Sequence, residues 1–447
     1  MTASLPDLTA RLLDAARKAG AEAADALAIH GTSTTIDVRR GALEQAERAE
    51  GTEIGLRVLF GGKQACVSSS DISDRTIAAL AERAVAMARE APNDPYAGLA
   101  DPDAIAREWD LAALDLADPA PEPDAATLES DCRAVESAAL AAKGITQVEA
   151  SAGYSARAMH LAASNGFSGG YSRTSRSLSA VAFTGEGTGM ERDWAGESRT
   201  YQSDLPDAAG IGTLAADRAL SRAGAVKPVT GTYPVLFDER IASSLIGHLL
   251  SAVNGAAIAR GASWLRDALG QQVLPAGLSV IEDPHRPRIG ASRPFDGEGL
   301  PTRRRAIVEN GILTGWTLDL ATGRKLGLPS TANAARGTSA PPSPSTSNID
   351  LTPGTRSRDD LIRDMGTGLL VTSMIGSTIN PTTGDYSRGA AGFWVQNGVI
   401  SHPVNECTIA GNLRDMLLRL IPANDARAHL STRVPSCLID GLTLAGA

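Results

Sequence analysis

Apolar residues recur at helical spacing near the start of the chain. Leu8, Leu12, Leu13 and Ala16 share one face, Pro6 sits at a first-turn position and Gly20 stops the run, so a short helix is predicted. The period then drops to two. Ile36 and Val38 alternate within 34–39, Ile54, Leu56 and Val58 alternate up to Gly61-Gly62, and 64–68 resumes the alternation. A Gly-Gly pair between two such runs marks a hairpin, because glycine accepts the positive φ that tight turns impose. A long helix is predicted through Ile77, Leu80, Ala84, Met87 and Ala88, with Ser73 or Asp74 placed to cap it. Residues 1–92 are therefore expected to form an N-terminal α+β domain.

Pro92, Pro95, Pro102, Pro119, Pro121 and Pro123, with several Asp, interrupt the pattern and make 93–123 a linker or a segment draped over a surface. A middle α+β domain is expected over 124–224. Its helix covers 125–143 and stops at Gly144; short strands follow at 147–152, 158–163, 170–175 and 177–184, with an Asn165-Gly166 hairpin turn; a closing helix at 207–222 ends at Gly224. Residues 225–447 predict a large β-rich C-terminal domain. It opens with a strand at 233–237 and a helix from Glu239 capped by Asp238, and has further helices near 358–365 and 413–420. The fold class is α+β with mixed, mostly antiparallel sheets. Residues 338–355, rich in Pro, Ser and Thr, read as a long exposed loop, either disordered or functional.

Composition narrows the classes. Of 447 residues, 43% are hydrophobic and 21% charged, an ordinary globular balance. Aromatics are only 4% against 45 Gly, so cores of Ala, Leu, Val and Ile with many tight turns are expected. The net charge of -9 argues against a protein that coats nucleic acid, which needs a clustered basic surplus. Cys66, Cys132, Cys407 and Cys437 are scattered without a C-x-x-C pair and read as reduced thiols. The first 20 residues resemble an amphipathic helix more than a signal peptide, and no run approaches the roughly 18 apolar residues of a membrane span. A soluble, cytoplasmic protein is expected.

Candidate chemistry is sparse. There is no G-x-S-x-G elbow, no H-E-x-x-H and no pair of histidines at i, i+4. Glu282-Asp283-Pro284-His285 reads as a solvated turn with local charge pairing. His402, Glu406 and Cys407 form a second cluster, although Cys407 lies in an apolar run and reads as a buried structural thiol. Gly366 and Gly368 read as a turn before a strand at 369–372. Arg303, Arg304 and Arg305 read as the solvated face of a strand, with an anion or partner contact as the alternative. The densest string is 380–398. Gly384, Gly389 and Gly392 there would let another backbone approach, and Asp385, Tyr386, Ser387 and Arg388 gather an acid, a phenol, a hydroxyl and a guanidinium.

That string carries a resemblance. GDYSRGAAGFWVQNG at 384–398, TIAGNLRDM at 408–416, SRPFDGEG at 292–299 and NGIL at 310–313 are similar to the PmbA (TldE) branch of the TldD/PmbA family. So are RRGALE at 39–44, GLRV at 55–58 and APNDPY at 91–96, and the likeness covers nearly the whole chain. The resemblance implies a bacterial proteolytic assembly of two related chains. Its TldD-type chain holds a catalytic metal, expected to be zinc, through a His-Glu-x-x-x-His motif and a later Cys. The family is linked to peptide-antibiotic maturation and antitoxin degradation, and an older name makes it a modulator of DNA gyrase.

This chain departs from the motif. An ungapped match through Gly255, Gly261 and Glu282-Asp283 puts Ile246, Gly247 and Ser251 where the first His, the Glu and the second His would stand. Ile and Gly cannot ligate a metal. His248 falls on a non-ligand position of a helix lined by Ile241, Leu245, Leu249 and Val253. The resemblance therefore implies the metal-free, non-catalytic partner of a TldD-type metallopeptidase acting on unfolded peptide, with a homodimer as an option in isolation. Asp385, Tyr386, Ser387 and Arg388 are the expected contacts to the substrate cavity or the partner. The alternatives are a self-sufficient metallopeptidase around His402, Glu406 and Cys407, or a DNA gyrase-associated regulator.

Overall fold

The computed structural model describes residues 3–447. The chain starts with α1 (Leu5–Lys18), capped by Ser4 and Asp7 reciprocally, and enters three antiparallel strands, β1 (Ala23–Arg39), β2 (Ala42–Phe60) and β3 (Lys63–Ser69). Gly61 and Gly62 both take positive φ in the β2–β3 turn, as the hairpin requires. Ser73 caps α2 (Asp74–Glu90) by accepting the Thr76 N–H. After α3 (Leu111–Leu114) come α4 (Ala125–Leu140), capped by Asp124, then β4 (Ile145–Ala163), β5 (Ser168–Thr184), β6 (Glu191–Arg199) and α5 (Ala208–Ser221).

These strands form one sheet in the order β3-β2-β1-β4-β5-β6, so the stretches before and after 93–123 share it through the β1–β4 pairing. Four helices cover one face. α1 and α2 lie over Ala26, Ala28, Ile54, Leu56 and Val58; α4 and α5 lie over Ile36, Val38, Ala150, Leu178 and Ala180. Alanine-rich strands suit that packing because small side chains let helices approach closely. Several predicted strands are fragments of longer ones: 147–152 and 158–163 are both β4, and 170–175 and 177–184 are both β5. The residues that join them, Gly153 to Arg157 in β4 and Arg176 in β5, include Gly, Ser and Arg, which blur the alternation. β6 has no such pattern at all and is absent from the prediction.

The second half begins with β7 (Gly231–Phe237) and α6 (Glu239–Ala252), capped by Asp238, then α7 (Gly255–Ala259), β8 (Val280–Glu282), β9 (Arg305–Glu309) and β10 (Ile312–Leu313). It continues through α8 (Leu320–Leu326), β11 (Ala334–Ala335), β12 (Ser343–Pro344), β13 (Ile349–Leu351) and α9 (Arg358–Met365). β14 (Gly368–Ile379), β15 (Asp385–Gln396), β16 (Val399–Asn412), α10 (Leu413–Leu418), β17 (Ile421–Pro422), β18 (Thr432–Arg433) and β19 (Cys437–Ala445) complete it. The main sheet runs β16-β15-β14-β7-β19-β17, and β16 also pairs with β19. Strands β7, β14, β15, β16 and β19 therefore close into a ring. Only β7–β14 is parallel within it. α7 and α8 were not expected from the sequence, being too short to show helical periodicity.

One surface expectation is corrected. Residues 338–355 are not an exposed loop: Thr338, Ser347, Asn348, Ile349 and Leu351 are buried, and the stretch contains β12 and β13. Thr338 crosses β2 at Gly55, where any Cβ would overlap the Thr338 backbone. Residues 93–123 drape across the joint between the two halves. There Ala100, Ile105 and Ala106 pack with Phe167, Phe295 and Leu300. The few aromatics concentrate at this joint, with Phe295 edge-on to Trp109, Phe167 and Tyr171 at 5.0, 4.9 and 5.6 Å.

Candidate functional site

Helix α6 carries Ile246, Gly247 and Ser251, the three positions matched above to the metal motif. Leu245, Ile246 and Leu249 are fully buried in the largest core, with Phe237, Leu369 and Val371. Gly247 offers no side chain, and the exposed Ser251 donates its hydroxyl to the Gly247 carbonyl at 2.9 Å, closing a local helix contact. Among the described residues, no three His, Cys, Asp or Glu side chains gather as a metal's ligands would. The donor set around α6 does not fit a metal ion.

Strand β15 runs beside this helix and sorts the predicted polar quartet. Tyr386 is corrected to a core residue: it is 2% exposed, its ring stands edge-on to His248 at 5.8 Å, and its hydroxyl lies 3.4 Å from Met374 Sδ. Burial pushes its pKa up to about 12. The same burial, with the Arg388 charge nearby, pushes His248 down, so its imidazole is neutral. Its Nε2 is buried without a hydrogen-bond partner. Asp385 is exposed but held by Thr383 (2.7 Å) and Asn412 (3.1 Å), which lower its pKa. Ser387 and Arg388 are half-buried, and Arg388 Nε donates to the Gly376 carbonyl at 2.8 Å. The glycines of this string do admit another backbone: a methyl at Gly392 would overlap the Leu370 carbonyl, and one at Gly389 would meet Ile375 Cγ2 at 2.6 Å.

The remaining sequence candidates do not assemble. His402 hydrogen-bonds the neighbouring Ser401 (3.1 Å), Glu406 is exposed and paired with Lys227 (3.0 Å), and Cys407 is buried against the Ala390 carbonyl (3.2 Å) with its pKa pushed up to about 11. The Glu282 region is corrected outright. Glu282 is 2% exposed and is a buried hub, accepting from Arg305 Nε (2.8 Å), Asn333 Nδ2 (2.7 Å) and both Ser347 N (2.6 Å) and Oγ (3.0 Å). Arg305 is thereby turned inward, leaving Arg303 and Arg304 exposed. His285 bonds Thr302 Oγ1 at 3.0 Å.

Sequence reasoning missed the ion cluster that joins the two halves. Arg57 Nε donates to Asp25 Oδ2 at 2.7 Å, and Arg336 reaches Asp25 Oδ1 from the other half; all three side chains are under 5% exposed. Burial pushes Arg336 down to about 10, still protonated at neutral pH. Beside them, burial and the Asp296 charge push Glu298 up to about 8. The sequence signal was the alternation itself. Arg57 stands between Leu56 and Val58, so it faces away from the helices, onto a side that only the fold reveals to be covered.

The comparisons follow this architecture. Profiles of the PmbA/TldA metallopeptidase domain 1, central domain and C-terminal domain match residues 24–88, 118–223 and 230–446. Metalloprotease PmbA of Escherichia coli O157:H7 is 37% identical over 417 residues, covering 93% of this chain and 90% of that protein. The chain belongs to the PmbA/TldD metallopeptidase family. A Metalloprotease PmbA homolog of Haemophilus influenzae is 34% identical over 97% of this chain and 94% of its own length. Among solved structures, a Bacteroides thetaiotaomicron protein described as a candidate modulator of DNA gyrase superposes with a TM-score of 0.91 at 28% identity, covering 98% of both chains. TldE from Thermococcus kodakarensis superposes at 0.85 over 98% of this chain and 100% of that one; at 19% identity it supports the fold alone. Among the described residues, no helix is long and apolar enough to cross a membrane.

Proposed function

We propose that this chain is the non-catalytic subunit of a cytoplasmic, two-chain metallopeptidase, and that it helps a zinc-bearing TldD-type subunit hold unfolded peptide. The observation that carries the reading is the identity of three α6 positions. Ile246, Gly247 and Ser251 stand where, in the matched helix of a TldD-type chain, two imidazoles and a carboxylate would bind the metal and take a proton from its water. Peptide is held by strand addition, which uses main-chain hydrogen bonds and so tolerates many sequences. A free edge supports this: β3 pairs with β2 only from Ile54 onward, leaving 42–51 without a neighbour on that side. Its Glu44, Glu47, Arg48 and Glu50 guard the edge against indiscriminate pairing.

The test is co-expression with a TldD-type chain from the same genome, followed by cleavage of an unfolded peptide by each chain alone and by the complex. The reading expects a stable complex that cleaves and a lone chain that does not. Cleavage by the lone chain would favour the self-sufficient metallopeptidase instead.

A further inference from the structure

Two arginines stand directly opposite each other in the N-terminal sheet. Arg157 on β4 is the register partner of Arg173 on β5. Directly opposed residues share a face with Cβ atoms about 5 Å apart, and like charges in that relation repel. Among the described residues, neither has a carboxylate within ion-pair distance to relieve it. Arg173 donates from Nη1 to the Gly290 carbonyl and from Nη2 to the Ser292 carbonyl (3.1 Å), bonds that cancel no charge and leave other N–H groups of the five-donor fork uncommitted. Arg157 is exposed and has no ion-pair partner among the described residues. Gly31 faces it from β1, which leaves its side chain room.

The pair lines a cleft of about 450 Å³ between β4–β6 and the segments 288–290 and 429–431 of the second half. No Asp or Glu lines it. Its other two arginines are already matched: Arg288 by Asp115 (2.6 Å) and Asp204 (3.3 Å), and Arg199 by Glu197 (2.6 Å). The walls are tied together, since Thr200 Oγ1 donates to the Arg288 carbonyl (2.7 Å) and Thr174 Oγ1 to the Thr200 carbonyl (2.9 Å). Ser155, Ser175 and Ser198 add hydroxyls. Strands β4 and β5 are each paired on both sides, so their main chains are committed to the sheet and only side chains can meet a ligand here.

We infer that this cleft binds a carboxylate of the peptide, clamped between Arg157 and Arg173, a role distinct from main-chain pairing at the β2 edge. A bound carboxylate converts the like-charge pair into a charge-assisted bridge. The inference of a peptide as the source rests on the proposed function; the anion site itself rests on the register and the unmatched charges.

The test is direct binding of one fluorescent unstructured peptide to the isolated full-length chain, by anisotropy. Three forms are compared: free C-terminal acid, C-terminal amide, and amide with an internal Glu, each with inorganic phosphate as competitor. The site predicts that the amide lacking Glu binds about tenfold more weakly than a carboxylate-bearing form, and that Arg157→Glu abolishes this preference. Preference for the free acid over the Glu-bearing amide identifies a chain terminus as the ligand; the reverse identifies a side chain. Equal binding of all three forms, no binding, or an unchanged preference in Arg157→Glu overturns the inference, as does inhibition by phosphate with no difference among the peptides. Because no second subunit is present, a carboxylate preference in a chain that forms no complex would sink the partner reading and leave the cleft standing. A complex that cleaves peptide without any such preference would do the opposite.

Discussion

The two large sheets treat their surfaces in opposite ways. In the C-terminal half the strands close into a ring, and β7, α6 and their neighbours share one apolar core. In the N-terminal half the sheet stays open. One face is sealed by four helices, and part of the other carries rows of small polar residues paired across strands: Ser33, Ser155 and Ser175 in one row, Thr35, Gly153, Ser177 and Ser198 in the next. Closure removes edges and leaves nowhere for a ligand to add. Openness leaves two edges, a polar face and an unmatched pair of arginines. Within one chain, the half that matches the family's C-terminal domain buries Ile246 of α6 in its core, and the half that stays open presents the unmatched arginines.

The joint between these halves should be the costliest place to disturb. Asp25→Ala would leave Arg57 and Arg336 buried without their shared carboxylate and should lower stability by about 3–5 kcal/mol, read by urea denaturation. An effect near zero would mean that the halves meet less tightly than described. Leu245→Ala, on the sealed side of α6, should cost about 2–5 kcal/mol by opening a cavity in the large core.

A pH effect sharpens the contrast further. With Glu298 raised to about 8 in the folded protein against 4.5 for an ordinary carboxyl, the folded chain holds a proton that the unfolded chain has released. Stability should therefore fall as pH rises through that window. Glu298→Gln keeps an acceptor for the Leu320 N–H and should flatten this part of the stability profile, measurable by thermal melts across pH 5–8.5 (roughly the window named). The smallest effect belongs to the open face, where Ser177→Ala should shift stability by less than about 0.5 kcal/mol.

Legibility in the sequence followed the same division. Helix caps such as Ser73 and Asp238, and turns such as Gly61-Gly62, were readable because the chemistry is local. Strand lengths in β4 and β5 were not, because Ser, Gly and Arg on the open face break the apolar alternation. The absence of donors at Ile246 and Gly247 was visible residue by residue. Glu282 was misread as solvated because its partners Arg305, Asn333 and Ser347 lie far along the chain, and no local pattern announces a buried hub. Tyr386 was misread for a similar reason: flanked by Asp385 and Ser387 it looks superficial, yet strand alternation turns it onto α6.

The proposed non-catalytic role rests on α6, where Ile246 packs in the core and neither it nor Gly247 carries a donor for a metal. Elemental analysis of the purified chain, alone and after assembly with a TldD-type subunit, tests it most directly. The account predicts zinc at trace level in the lone chain and one ion per pair in the assembly. Stoichiometric zinc in the lone chain, retained through gel filtration and lost together with peptidase activity on chelation, would contradict it.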